Sequence, residues 1–140
     1  MSVLTPAQTR LLDENDHGVI ATLGRDGYPR QSVVYYARDG GRLLVSTLAN
    51  RAKTRDVKAT KWASLSVSGG ERPHPSATFS GRAKILTEEI GPATALVMKR
   101  IMGADAPPEP MTDEALAEVG RVVLVIEIDR VTAATHLEDD

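Results

Sequence analysis

"HGVIATLGRDGYPRQSVVYYARDGGRLLVSTLANRAKTR", residues 17–55, carries the pattern that decides the fold. Three runs rich in Val, Ile, Leu, Thr and Tyr (17–24, 30–39 and 42–48) read as strands. Asp26-Gly27 and Asp39-Gly40-Gly41 stand between them, where a hairpin needs residues that tolerate positive φ. The spacing predicts a three-stranded antiparallel meander. The texture then changes. Asn50 is a good N-cap, and a short helix is expected over about 51–59.

Working outward, Thr5-Pro6-Ala7-Gln8 has the form of a capping box with Pro at the first helical position, and Leu11 and Leu12 give that helix an apolar side up to about Asp16. Downstream, 62–69 and 76–86 read as two more strands, with Gly81 marking a bulge in the second. Residues 88–102 read as a helix with Ile90, Ala93, Leu96, Val97 and Ile101 near one face. Pro92 is tolerated only in a first turn, which moves the helix start to Gly91. Thr112 caps a shorter helix. The strand at 121–131 has a continuous apolar middle, which implies burial on both faces. The fold expected is mainly β with added helices: six antiparallel strands in a small barrel with three or four helices at its ends.

The length of 140 residues suits one domain, expected to span 1–140. There is no cysteine, which excludes disulfides, thiol catalysis and thiolate metal sites. The N-terminal stretch has no apolar signal core, and no run approaches the roughly 20 apolar residues that cross a bilayer. A cytoplasmic protein without a membrane partner is expected. The net charge of −2 argues against a general nucleic-acid binder.

Hydrolytic chemistry finds no support. No Gly-x-Ser-x-Gly elbow is present. His17, His74 and His136 lack metal-ligand spacing and read as strand-end, loop and tail residues, so no metal is expected. Glu88-Glu89 and Asp139-Asp140 read as helix-start and tail charges. No dinucleotide fingerprint or P-loop appears, and no catalytic residue can be named.

The basic cluster is different. Arg51, Lys53, Arg55, Lys58 and Lys61 face a single acid, Asp56, between 51 and 61 of a net-negative chain. Arg51 and Arg55 repel as i,i+4 neighbours, and the positive end of a helix dipole adds to that. A bound phosphate would reverse both penalties by drawing cations and free backbone N–H groups to one anion. Solvation of the helix is the simpler alternative. The preceding strand ends in Ser46 and Thr47, whose hydroxyls suit a polar ring or a ribityl chain, and Arg30, Gln31 and Ser32 offer further polar contacts.

On residues 4–69, and above all on "NRAKTRDV" at 50–57, the chain resembles the pyridoxamine 5′-phosphate oxidase-like superfamily, the split β-barrel FMN- and deazaflavin-binding proteins. It is most similar to the short branch that uses coenzyme F420. The resemblance implies a homodimer with two cofactor sites at the subunit interface. It assigns Arg51 and Lys53 to the cofactor phosphate, with Arg55 nearby. Ser46 and Thr47 would lie along the ring or its linker, and Arg30, Gln31, Ser32 and Val33 would edge the tricyclic ring. Trp62 and Phe79 would either reach the partner's site or pack in the core, the second being preferred. The function implied is an F420-dependent oxidoreductase passing a hydride to an electron-poor double bond of a small organic substrate, with Tyr35, Tyr36 or water as proton source. FMN is the alternative cofactor, as in a flavin reductase or related flavoprotein. F420 has the longer acidic tail, and Lys58, Lys61 and Arg30 supply extra cations for it. The ending "ATHLEDD" lacks the C-terminal Arg and His segment of the pyridoxamine phosphate oxidases, so that reaction is not expected.

Overall fold

The computed structural model describes residues 3–138, so Asp139 and Asp140 lie outside the described residues. The first helix, α1 (Pro6–Glu14), starts on the predicted capping box. Thr5 Oγ1 accepts from the Gln8 N–H at 3.2 Å, and Gln8 Oε1 accepts from the Thr5 N–H at 3.0 Å. Leu11 and Leu12 are buried beneath it. No helix among the described residues is long and apolar enough to cross a membrane.

Among the described residues the strands number seven, not the six expected: β1 (His17–Leu23), β2 (Pro29–Tyr35), β3 (Ala37–Asp39), β4 (Arg42–Leu48), β5 (Trp62–Ser68), β6 (Ser76–Leu86) and β7 (Arg121–Thr135). They form one antiparallel sheet in the order β2-β1-β5-β6-β7-β4-β3. The single strand expected over 30–39 is two strands broken at Tyr36, and the expected meander is two separate hairpins, β1–β2 and β3–β4. Propensity cannot reveal this break, because Val33-Val34-Tyr35-Tyr36 favours strand throughout. The cause is tertiary. Tyr36 is fully buried, its hydroxyl donates to Leu12 O at 2.6 Å, and its N–H donates to Asp16 O at 3.1 Å. Burial pushes the Tyr36 hydroxyl well above the usual phenol range.

Because β2 and β3 lie at opposite edges of the sheet yet are one residue apart in sequence, the sheet must curl until its edges approach each other. The result is a half-barrel. Gly81 sits at a register shift between β6 and β7, as its bulge reading predicted. A Cβ there would stand far inside van der Waals contact distance of Glu127 O, so this approach of two backbones requires glycine.

Three further helices complete the fold: α2 (Ala52–Thr60), α3 (Gly91–Met102) and α4 (Asp113–Glu118). Thr112 caps α4 as expected, its hydroxyl accepting from the Ala115 N–H at 3.2 Å. The apolar middle of β7 is buried on both faces. Leu124 and Ile126 join Leu43, Leu65 and Phe79 inside the curl. Val123 and Val125 pack outside it with Leu44, Val97 of α3 and Leu116 of α4. Each fully buried side chain of this size contributes about 1.5–3 kcal/mol. Phe79 belongs to this core, as the preferred reading had it, and Trp62 is half-buried at the start of β5.

Candidate functional site

β3 pairs with β4 only over Arg42–Leu44. Beyond that point β4 has no strand on this side among the described residues. Val33, Val34 and Tyr35 of β2 approach the gap from the other edge of the sheet, opposite Ser46, Thr47 and Leu48 of β4, and the space between is a cleft of about 280 Å³. The split in the barrel is therefore also its candidate site. Val97 and Ile101 of α3 form an apolar wall, and Arg51, Lys53 and Arg121 supply charge. No carboxylate lines the cleft.

The start of α2 differs from expectation in a way that matters here. Arg51, not Asn50, occupies the cap position, with extended backbone and no side-chain capping bond. The reason is the turn before it: the Arg51 N–H donates to Leu48 O at 3.2 Å, and Asn50 O accepts from Arg55 Nη1 at 2.7 Å. Thr54 and Arg55 donate their N–H groups to Arg51 O, but those of Ala52 and Lys53 have no partner among the described residues. A helix start so left open is suited to an anion.

Electrostatics agree. Arg51, Lys53 and Arg121 make no ion pair among the described residues. Burial, and then the charge of Arg51, pushes the Lys53 ammonium below its usual value. Ser46 Oγ is buried with no hydrogen-bond partner. An unsatisfied buried hydroxyl costs about 1–3 kcal/mol, which a polar ligand atom would relieve. The residues present thus fit a ligand with an anionic group near α2 and a polar, partly apolar body along β4.

The other predicted residues are elsewhere. Arg30 and Arg55 line a second cavity of about 330 Å³ with Arg25 and Asp56. The Asp56 carboxylate is buried there and accepts from Arg30 Nε and from Thr22 Oγ1, each at 2.9 Å. Gln31 and Ser32 are exposed on β2 and line neither cavity. Of the two tyrosines considered as proton sources, Tyr36 is engaged in the core and Tyr35 lines the cleft. A larger cavity of about 760 Å³ lies between α1, β3 and α3, where Asp13 and Arg38 are paired with each other and charges of both signs line the wall.

So the structure brings Val33, Ser46, Thr47, Arg51 and Lys53 together and separates them from Arg30, Gln31, Ser32 and Arg55. Sequence reasoning missed Val97, Ile101 and Arg121. Arg121 pairs in register with Leu48, and only that pairing could have placed it here.

The family model of pyridoxamine 5′-phosphate oxidase matches residues 4–134. Among curated proteins none matches the chain. A solved structure described as an F420 reductase is 27% identical with a TM-score of 0.69, covering 87% of this chain and 93% of its own. A conserved hypothetical protein from Mycobacterium tuberculosis is 22% identical with a TM-score of 0.73, covering 99% and 94%. An FAD-binding protein from Mesorhizobium loti is 23% identical with a TM-score of 0.66, covering 88% of each.

Proposed function

The chain belongs to the pyridoxamine 5′-phosphate oxidase family, and on that premise we propose that it is an oxidoreductase that holds coenzyme F420 in the cleft between β2, β4 and the start of α2. The observation that carries this reading is the unpaired charge: cations without carboxylate partners beside two unpartnered backbone N–H groups. Likeness to a protein described as an F420 reductase supports the choice of deazaflavin. When bound in its reduced form, that cofactor would supply a hydride to an electron-poor double bond of a small organic substrate, becoming oxidised, while a proton from water or Tyr35 would complete the product.

The chain's own residues bind and orient. Arg51 and Lys53 hold the phosphate together with the Ala52 and Lys53 N–H groups. Ser46 and Thr47 hydrogen-bond the ring or its linker, Val33 packs at the ring edge, and Val97 and Ile101 exclude water. Gln31 and Ser32 meet parts of the ligand that project beyond the cleft along β2. Arg30 and Arg55, on the second cavity, face the acidic tail. At about 280 Å³ the cleft is small for a whole tricyclic cofactor, since small-molecule sites run from about 300 to 1,000 Å³. A second copy of this one-domain chain, docked on β2, would complete it. Val33 is 69% exposed and Tyr35 46% exposed on that strand, which suits a homodimer.

FMN in the same cleft is the second reading, favoured by the number of cations, which suits a terminal phosphate of higher charge. Titrating the purified protein with F420 and FMN in parallel, followed by fluorescence, separates the two. Saturable F420 uptake with weaker FMN uptake is the expected result. A yellow preparation carrying FMN would overturn the choice of deazaflavin, and uptake of neither would overturn the cofactor reading.

A further inference from the structure

Arg121 lies about 70 residues from the basic cluster in sequence, yet it lines the same cleft. Its position is fixed twice. Arg121 pairs with Leu48 in the β4–β7 ladder, and one residue on, the Ala49 N–H donates to Gly120 O at 2.8 Å. Leu48 and Ala49 lead directly into the turn that presents Arg51. The backbone of Arg121 is thereby tied to the backbone that begins α2. The glycine before it has φ +72°, which lets the chain turn into β7 at that point. Arg121 has no ion pair among the described residues, and the cleft it lines holds Arg51, Lys53, hydroxyls and apolar groups but no carboxylate. Arg121 is exposed and shares this cleft with Arg51 and Lys53, so an anion entering it would meet three cations.

We infer that Arg121 is a third phosphate-binding side chain of this cleft and reads the charge of the ligand's phosphate. Its planar guanidinium can meet two phosphate oxygens at once, which the single ammonium of Lys53 cannot. A terminal phosphate monoester, with more charge and more free oxygens than a phosphodiester, gains more from this arginine. Arg121 therefore sets how strongly the cleft distinguishes the two phosphate classes. The inference rests on the proposed cofactor site.

The test compares Arg121→Ala, Arg121→Lys and Lys53→Ala with the wild-type protein. FMN serves as the monoester probe and F420 as the diester probe, with affinity followed by fluorescence over a series of salt concentrations. For whichever probe the wild-type protein takes up, Arg121→Ala weakens binding on the order of tenfold. It also flattens the salt dependence, which a merely structural change would leave alone. Arg121→Lys recovers part of the loss and most of the salt dependence. If both probes bind, the loss for FMN exceeds that for F420. Unchanged affinity in Arg121→Ala, while Lys53→Ala binds weakly, overturns the role of Arg121 and leaves the cofactor site standing. An affinity loss with unaltered salt dependence overturns it as well. A wild-type protein that takes up neither probe overturns both.

Discussion

β7 and β2 belong to one antiparallel sheet and meet opposite surroundings. β7 is paired on both edges, by β6 and β4, and Val122–Ile126 are buried on both faces. β2 is paired on one edge by β1, and all of its residues except half-buried Val34 are exposed. The difference teaches where the molecule spends its apolar residues. The strand at the centre binds the two clusters together, while the edge strand leaves backbone groups and side chains open toward the cleft. Substitutions around β7 should therefore act on stability, and those around the cleft on ligand affinity.

The largest effect is expected at Gly81, where β6 and β7 approach each other. Gly81→Ala must displace the Glu127 backbone and should cost about 3 kcal/mol or more. Chemical denaturation measures it, and a variant as stable as wild type would mean that the β6–β7 contact is looser than described. Asp56→Ala comes next. It leaves Thr22 and the half-exposed Arg30 without their shared acceptor, at a cost of about 2 kcal/mol in the same assay, moderated because water still reaches Arg30. Asp56 anchors α2 to β1 and β2, so this prediction probes the boundary between the two regions.

Lys53→Met should reverse the pattern. Affinity for the phosphate-bearing ligand falls on the order of tenfold, while stability without ligand stays level or rises by about a few tenths of a kcal/mol. The sign follows from its titration. A lysine held below its usual value opposes folding while charged, and that opposition disappears as pH rises above the unfolded value. A marked loss of stability in Lys53→Met would place this lysine with the framework and not with the cleft.

The same contrast explains what could be read from the sequence. β4, β6 and the capping of α1 and α4 were legible because period, turn residues and caps are local. Arg51, Lys53, Ser46 and Thr47 were legible as a group because eight residues of chain contain them. The break at Tyr36 was not, since it depends on a carbonyl of α1 that only the folded chain brings near. Asn50 looked like a cap, but the bond to Arg55 and the turn at Leu48 moved the helix start past it. Arg121 was invisible for the reason that β7 matters: strand order is set by burial over the whole sheet, and nothing within 121–131 says that Leu48 is its neighbour.

The smallest expected effect concerns a pair at the other edge of the sheet, where charge is satisfied instead of open. Asp13 of α1 accepts from Arg38 of β3 through both carboxylate oxygens, at 2.7 and 2.8 Å. That hydrogen bonding, chiefly, holds the Asp13 carboxyl below its usual value, with some opposition from burial and further help from the charges of Arg38 and Arg100. A depressed carboxyl contributes stability that is present above its unfolded value and lost as pH falls through the folded one. Asp13 is about half exposed, so the contribution is under about 1 kcal/mol. Asp13→Asn should lower the denaturation midpoint slightly near pH 7, with the gap to wild type closing only as pH falls through the depressed folded value of Asp13, below the ordinary carboxylate range. Ligand affinity should not change, because this pair ties α1 to β3 and borders a different cavity from the one that holds Arg51 and Lys53. An altered affinity in Asp13→Asn would show that the closed edge of the sheet and its open edge are coupled through Tyr36, whose hydroxyl is bonded to the last turn of the same helix.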